Sequence, residues 1–288
     1  MKNYNFKYSH SFTGYKNIPY YQSKVVVLPI PYEGTVSYMS GTASGPEAII
    51  NASCNMETFD IENGIDITNT LKIHTLDPLH VTFSSPEQMI KLIKNTTTIL
   101  INDKKFPAIL GGEHSITTGS VRAFKEKYKD LSVLQLDAHA DLRDKYQETP
   151  YSHACVMRRC REICPVVQVG IRSMSVEESN YIKKNKINDI YLAPGLPENE
   201  IISKLSRNIF LTIDLDFFDP SVMPATGTPE PGGYFWLQTI KFLKKLIQAR
   251  NVVGFDIVEL SPIPGISHPN FLAALLVYKL LTYLNLKK

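Results

Sequence analysis

The sequence lacks the features of a membrane, secreted or nucleic-acid-binding protein. It contains no run of about 18 apolar residues, the length that a transmembrane helix requires. Its first residues, MKNYNFKYSHSF, lack the apolar segment of a secretory signal peptide. Lys and Arg exceed Asp and Glu by only three residues and are scattered along the chain, which argues against a nucleic-acid partner. We therefore expect a cytoplasmic protein that binds neither membranes nor nucleic acids.

Cysteine is also scarce, with four residues in 288. Cys155, Cys160 and Cys164 lie close together in HACVMRRCREIC, and Cys54 is distant from them. The spacing of the three does not match the zinc motifs in which two residues separate paired ligands. We interpret the three as reduced, structural thiols on one helix, which agrees with a reducing compartment.

The sequence does contain short apolar segments that alternate with helical patterns. Strands are predicted at 24–30, 106–112, 131–140, 165–171, 187–193, 208–216 and 251–260, and helices at 86–103, 115–129 and 235–248. Continuous apolar strands that alternate with helices indicate an α/β fold with a mainly parallel sheet covered on both faces. Since no linker or repeat interrupts the pattern, we expect a single domain over residues 1–288.

Two segments outside this pattern have distinctive compositions. Residues 1–23 form an aromatic-rich N-terminal extension, which we expect to pack on the domain or on a neighbouring subunit; its aromatic residues are Tyr4, Phe6, Tyr8, Phe12, Tyr15, Tyr20 and Tyr21. Residues 219–233 are too rich in proline and glycine to form a helix or a central strand. An ordered loop of this length directly after a strand is expected to line a functional site.

Acidic and histidine side chains cluster where three of the predicted strands end. They occur in LGGEHS, LQLDAHADLRD and LTIDLDFFDP, and are His114, Asp137, His139, Asp141, Asp214 and Asp216. Alternate residues of an extended strand point to the same side, so the three ligands of the second segment converge if the strand continues through it. The carboxyl ends of parallel strands meet at one edge of a sheet, where ligands collect.

Charge repulsion within this cluster indicates that it binds metal ions. Four carboxylates in one place would repel one another and raise their pKa values, whereas two divalent cations would cancel their charge. Oxygen-rich ligands favour Mn²⁺ or Mg²⁺ over Zn²⁺. Two ions ~3.5–4 Å apart lower the pKa of a shared water and position it for attack. Each segment alone could be a turn or a helix cap, but together they predict a dinuclear metal hydrolase, whose anionic pocket favours a cationic substrate.

Five ordered motifs, which extend from about Lys24 to the C-terminus, resemble the ureohydrolase superfamily of arginases and agmatinases. They are GGEHSIT (111–117), DAHADLRD (137–144), SHACVMRR (152–159), DLDFFDPSVMPATGTPEPGG (214–233) and FDIVELSP (255–262). The resemblance implies an arginase-like three-layer α/β/α sandwich and two Mn²⁺ ions per subunit. It also implies a homo-oligomer, a trimer or a hexamer, and hydrolysis of a guanidinium group to urea and an amine.

The same resemblance implies roles for individual residues. One Mn²⁺ would be bound by His114 and Asp141, the other by His139 and Asp216, and both by Asp137 and Asp214. Asp141 would also hold the attacking hydroxide by a hydrogen bond.

Three further residues would act on the substrate. Glu259 would orient the guanidinium, His153 would pass a proton to the leaving amine, and Thr228 would contact the substrate or shape the pocket. Simpler alternatives are a strand-end salt bridge for Glu259 and a loop histidine without catalytic duty for His153.

The segment 141–159 (DLRDKYQETPYSHACVMRR) resembles the agmatinase branch, as do METFD (56–60) and GTPEPGG (227–233). Ala154 and Cys155 replace the Gly-Thr that is common elsewhere in the superfamily. We expect hydrolysis of agmatine to putrescine and urea, a step of polyamine biosynthesis.

One alternative is hydrolysis of another guanidine: arginine, or guanidinobutyrate, whose carboxylate would need Arg143 or Arg158. Others are a non-guanidine amidase or phosphoesterase, and a scaffold protein without activity.

Overall fold

Strands and helices alternate along the chain much as the apolar pattern predicts. The structure, a computed structural model, describes residues 11–15, 17–68 and 70–287. Its strands within these ranges are β1 (Val25–Ile30), β2 (Phe59–Asp60), β3 (Ile65–Asp66), β4 (Ile73–Thr75), β5 (Phe106–Gly111), β6 (Leu131–Leu136), β7 (Val166–Ile171), β8 (Ile190–Leu192), β9 (Asn208–Asp214) and β10 (Asn251–Val258).

The helices begin where the sequence offers caps or proline. They are α1 (Gly45–Ser53), α2 (Pro86–Asn102), α3 (Thr117–Lys127), α4 (Val156–Arg161), α5 (Val176–Lys184), α6 (Glu198–Lys204), α7 (Trp236–Ala249) and α8 (His268–Leu286). Ser85 caps α2 by accepting a hydrogen bond from the Gln88 amide, and Pro86 occupies the first turn, where no amide hydrogen is needed. Ser175 and Glu178 form a reciprocal capping box at the start of α5.

Eight strands form one parallel sheet in the order β4-β1-β5-β10-β9-β6-β7-β8, while β2 and β3 form a separate antiparallel pair. Successive side chains of a strand face opposite sides: Val25 and Val27 pack in one apolar core, Val26 and Leu28 in the other. The first core contains side chains of α1, α6, α7 and α8, and the second contains those of α2, α3 and α4. The predicted three-layer α/β/α sandwich is confirmed.

The strand order brings together the carboxyl ends of four neighbouring strands, β5, β10, β9 and β6. His114 follows β5, Glu259 follows β10, Asp214 is the last residue of β9 and Asp137 follows β6. Because the strands are parallel, these four residues lie at one edge of the sheet.

The second ligand segment is a turn and not the continuation of a strand, so the predicted strand 131–140 is too long. Strand β6 ends at Leu136, and the amide of His139 donates to Asp137 Oδ1 at 2.6 Å. Asp141 adopts a left-handed backbone with φ of 52°. Similarly, Asp214 ends β9 and Asp216 lies in the 3-10 turn Leu215–Phe217. The acidic side chains accept hydrogen bonds from nearby amides, which favours turns over strands at these positions.

The clustered cysteines do not share one helix, and this part of the prediction is wrong. Cys160 lies in α4, Cys155 in the 3-10 turn His153–Cys155 before it, and Cys164 beyond its end. Helix α4 ends at Arg161, and Pro165 disfavours helical backbone at Cys164, so the helix does not resume there. The three thiols are free and buried, and Cys54 is free and exposed.

The described part of the N-terminal extension packs partly on the domain. Phe12 is buried in the first apolar core, and its amide donates to Thr75 Oγ1 at 2.9 Å. Tyr15 and Tyr21 are exposed, whereas Tyr4, Phe6 and Tyr8 lie outside the described residues. In the described ranges, no helix combines the length and the apolar character needed to cross a membrane.

We predict that Gly112→Ala destabilises the protein more than a glycine replacement in open space. The end of β5 lies against the turn after β1, and an added Cβ at Gly112 would overlap the carbonyl oxygen of Tyr32. We expect a loss of about 2 kcal/mol in the free energy of unfolding, measured by denaturant titration. Gly64→Ala is the control, because its Cβ would have no neighbour within 4 Å and only its φ of 67° is unfavourable, by about 1 kcal/mol. Equal losses in the two variants would contradict the predicted clash.

Candidate metal centre and active site

The six predicted metal ligands lie together at the carboxyl edge of the sheet, and His114 is at the centre of one half. Its Nδ1 lies 3.1 Å from Asp137 Oδ2, 3.3 Å from Asp141 Oδ2 and 3.3 Å from Asp214 Oδ2. All four residues are buried. One divalent ion could replace these contacts and be bound by the same atoms.

His139 is at the centre of the other half. Its Nδ1 lies 2.8 Å from Asp216 Oδ2 and 3.7 Å from Asp137 Oδ1. Asp137 therefore belongs to two groups of potential ligand atoms, with His114 and Asp141 on one side and with His139 and Asp216 on the other. One oxygen of Asp137 faces each histidine, an arrangement that suits a carboxylate shared by two ions.

Backbone amides hold the acidic side chains in this arrangement. The Ala138 amide donates to Asp216 Oδ1 at 3.0 Å, and the Asp216 amide donates to Asp214 Oδ1 at 2.9 Å. The carbonyl of Asp141 accepts hydrogen bonds from the amides of Met157 and Arg158 at the start of α4. The turns after β6 and β9 and the first turn of α4 thus form one connected unit.

The donor set fits divalent cations. Among the described residues, His114 Nδ1 is a buried nitrogen without a hydrogen-bond partner, while its Nε2 lies 2.8 Å from Thr212 Oγ1. A histidine fixed through one ring nitrogen, with the other directed at carboxylates, is the usual arrangement of a metal ligand. Four aspartates and two histidines also form the oxygen-rich set that Mn²⁺ accepts.

Burial perturbs the protonation of these carboxylates. Burial, together with the charge of Asp137, raises the pKa of Asp141 to about 7. Burial and the neighbouring Asp216 and Asp137 raise the pKa of Asp214. Protonated carboxylates are poor metal ligands, so bound divalent cations would reverse these shifts by favouring the charged form.

A cavity of about 260 Å³ opens beside the cluster. Its lining includes several ligands, all three residues predicted to act on the substrate (His153, Thr228 and Glu259), and the side chains of Tyr38, Met39, Arg143, Tyr146 and Met174. Thr228 comes from the loop 219–233, which therefore lines the site as its length and composition predict. The same loop places Glu230 Oε1 3.6 Å from His139 Nε2.

Glu259 connects the cavity wall to the ligand His114. Its Oε1 accepts a hydrogen bond from the His114 amide at 2.6 Å, and its own amide donates to the Gly112 carbonyl at 2.8 Å. Its backbone is left-handed, with φ of 66°, which turns the chain away from β10. Burial, with the neighbouring carboxylate of Glu113, raises the pKa of Glu259, and a cation in the cavity would lower it again.

His153 also lines the cavity and is connected to a buried carboxylate, Glu113, through the hydroxyl of Thr35. Thr35 Oγ1 donates to Glu113 Oε1 at 2.7 Å, and lies 3.3 Å from His153 Nδ1. The hydroxyl hydrogen of Thr35 is directed at Glu113, so Nδ1 either donates to Thr35 or accepts from Ser152 Oγ, which lies 3.3 Å away, while Nε2 lies 3.4 Å from Ser37 Oγ. Burial lowers the pKa of His153 to about 4, so the ring is neutral at neutral pH.

Sequence reasoning missed the segment after β1 (PYEGTVSYMSG, 31–41). It supplies Thr35 and Ser37 to His153 and Tyr38 and Met39 to the cavity. A signal was present, because this segment follows a predicted parallel strand at the same sheet edge as the ligands. Arg158, by contrast, is not among the cavity residues, and its guanidinium lies 3.5 Å from the centre of the Tyr181 ring.

We predict that Asp137→Asn prevents a divalent cation from stabilising the protein. At a free concentration of about 100 times the Kd, a bound ion raises the free energy of unfolding by about 2.7 kcal/mol. The measurement is the melting temperature of chelator-treated protein before and after addition of Mn²⁺. Asp130→Asn is the control, since Asp130 is exposed and contacts Asn208 far from the cluster. An equal rise in wild type and Asp137→Asn would exclude Asp137 as a ligand.

Comparison with known proteins gives a consistent result. The profile of the Arginase family matches residues 23–282. The N(1)-aminopropylagmatine ureohydrolase of a Synechocystis species is 39% identical over 92% of this chain and 90% of its own length. The agmatinase of Pyrococcus horikoshii is 36% identical over 82% of this chain and 83% of its own.

Among solved structures, the agmatine ureohydrolase of Thermoplasma volcanium superposes with a TM-score of 0.83. It is 32% identical in sequence, and the match covers 92% of this chain and 91% of that one. The chain therefore belongs to the arginase family of ureohydrolases.

Proposed function

We propose that this protein hydrolyses the guanidinium group of a linear amine, agmatine or its N1-aminopropyl derivative, and releases urea. The observation that carries the proposal is the carboxylate of Glu259, which lies at the cavity wall and accepts a hydrogen bond from the backbone of His114. A planar guanidinium pairs with a carboxylate through two parallel hydrogen bonds. A guanidinium bound at Glu259 would lie directly beside the metal ligands.

We further propose that the cluster binds two Mn²⁺ ions. His114 and Asp141 would bind one, His139 and Asp216 the other, and Asp137 both, as the distances support; Asp214, 3.3 Å from His114, is proposed as the second shared ligand. Two such ions, when bound, supply a water of lowered pKa as the nucleophile.

The residues of the chain bind the substrate and move its protons. Glu259 orients the guanidinium so that its central carbon faces the ligand cluster, and Thr228 forms part of the cavity wall. His153 is neutral, and its unprotonated ring nitrogen takes up a proton from the attacking water and gives it to the nitrogen of the leaving amine. The product is putrescine from agmatine and spermidine from the aminopropyl derivative.

The outer cavity supports a substrate with a long aliphatic tail. Tyr38, Met39 and Met174 line it with exposed apolar surface, and Tyr146 adds an aromatic face. Methylene groups pack on such walls, and the exposed ring of Tyr38 offers an aromatic face to an ammonium group. The names of relatives at 36–39% identity support both agmatine and its aminopropyl derivative.

A second candidate is a guanidine with a carboxylate tail, such as guanidinobutyrate, and one observation favours it. Arg143 lines the cavity, and its guanidinium lies 5.0 Å from the centre of the Tyr146 ring. Within the described part of the chain, no carboxylate forms an ion pair with it. An anionic tail would form an ion pair with Arg143, whereas a cationic tail would be repelled by Arg143 and must lie away from it.

The test measures urea release from four guanidines: agmatine, its N1-aminopropyl derivative, arginine and guanidinobutyrate. We predict that agmatine or its N1-aminopropyl derivative has the highest kcat/KM. The positively charged tails match the anionic cavity, so we expect a preference of about tenfold or more. Arg143→Gln should leave this order unchanged. A preference for guanidinobutyrate that Arg143→Gln abolishes would establish the second candidate. Absence of urea from all four guanidines would contradict guanidine hydrolysis and favour an amidase, a phosphoesterase or a scaffold.

We predict that Glu259→Gln lowers kcat/KM by about 100-fold for every guanidine that the wild type accepts. The neutral amide removes the charge-assisted pair with the guanidinium, worth about 2–3 kcal/mol, while the volume is unchanged. The Mn²⁺ content should equal that of the wild type. Glu126→Gln is the control, because Glu126 is an exposed partner of Lys94. A loss of metal together with activity would assign Glu259 a structural role instead.

A further inference from the structure

Two buried glutamines lie in mainly apolar strands beside the site. Gln135 in β6 and Gln168 in β7 are register partners, and both are fully buried. A buried amide is costly unless its polar atoms are hydrogen-bonded. The partners of these two amides therefore indicate why they are present.

Both amides contact the turn that supplies Asp137, His139 and Asp141. Gln135 Nε2 donates to Asp137 Oδ2 at 2.6 Å and lies 3.4 Å from the carbonyl oxygen of His139. Gln168 Nε2 donates to the carbonyl of Ala140 at 2.7 Å and to Gln135 Oε1 at 2.6 Å.

The orientation of both amides is determined by their surroundings. Each Nε2 faces two oxygens that can only accept, so a flipped amide would place oxygen against oxygen. The remaining acceptor, Gln168 Oε1, lies 3.2 Å from Nη2 and 3.3 Å from Nε of Arg161. Arg161 Nη2 also binds Asp189 Oδ1 at 2.6 Å, near the surface. A directed chain of hydrogen bonds thus runs from Arg161 through Gln168 and Gln135 to Asp137.

We propose that Gln135, Gln168 and Arg161 are positioning residues that prepare the turn 137–141 for metal binding. The donation from Gln135 occupies one lone pair of Asp137 Oδ2, and the His139 amide occupies one of Oδ1. Each oxygen retains a lone pair on the side of one histidine. The proposal rests on the proposed metal centre, but it is independent of which guanidine is hydrolysed.

The test is calorimetric titration of chelator-treated protein with MnCl₂ alone. We expect Gln135→Leu and Gln168→Leu each to weaken Mn²⁺ binding by about tenfold, as is usual when a partner of a ligand is removed. The loss of Mn²⁺ binding free energy in the double variant should be smaller than the sum of the losses in the two single variants, since both glutamines act through the same series of hydrogen bonds. The EPR spectrum of bound Mn²⁺ should also change, which a loss of packing distant from the ligands would not cause. Ser132→Ala is the control, because Ser132 is buried at the opposite end of β6 and its hydroxyl oxygen accepts a hydrogen bond from the Ser206 amide.

Arg161→Met provides a second test at a residue outside the two strands. The Arg161 side chain is 11% exposed, as is that of Arg159 on the same helix, which pairs with Asp144 and Glu162 instead. We expect Arg161→Met to weaken Mn²⁺ binding by about threefold or more relative to Arg159→Met.

Three results would overturn the proposal. The first is that Gln135→Leu and Gln168→Leu fold and bind Mn²⁺ with affinities within about threefold of the wild-type affinity. The second applies if the glutamine variants do not fold: equal Mn²⁺ affinities of Arg161→Met and Arg159→Met would then overturn the proposal. A wild-type protein that binds no Mn²⁺ would overturn both this proposal and the metal centre, whereas Mn²⁺ binding without urea release would contradict the proposed activity alone.

Discussion

The concentration of buried negative charge at one edge of the sheet is the constraint on which the site depends. Asp137, Asp141, Asp214 and Asp216 are all buried, and isolated carboxylates in such surroundings would be protonated. The fold directs amide groups at several of their oxygens and places His114 and His139 among them. These groups compensate the four negative charges only in part, and two divalent cations would complete the compensation.

The parallel sheet determines where this charge can collect. A sheet in which all eight strands run in one direction has all its carboxyl ends at one edge, so residues distant in sequence meet there. His114 and Glu259 are 145 positions apart and yet share a hydrogen bond. The apolar strands and the helices on both faces exclude water from behind the ligands, which strengthens the electrostatic interactions among them.

The layers of the fold and the meeting of the six ligands could be predicted from sequence, because both follow from strand polarity and from the chemistry of Asp and His. The geometry of the ligand segments could not. Alternation along a strand suggests that Asp137, His139 and Asp141 converge, whereas they converge through a turn that Asp141 closes with a left-handed backbone. Thr35 and Gln135 have no motif of their own, and their importance depends on partners, His153 and Gln168, that only the tertiary structure places beside them.

The two ends of the cavity are built by different parts of the chain, and this separates reaction from specificity. The inner end is formed by strand ends and tight turns, whose backbone hydrogen bonds leave little freedom of position. The outer end is formed by loops that supply the cationic side chain of Arg143 and apolar surface from Tyr38 and Met174. A substitution at one of these three residues is expected to change which tail is bound without removing a contact of the six clustered Asp and His residues. Two proteins could therefore share this sheet edge and still accept different guanidines, because the tail would be contacted by side chains other than the clustered Asp and His residues.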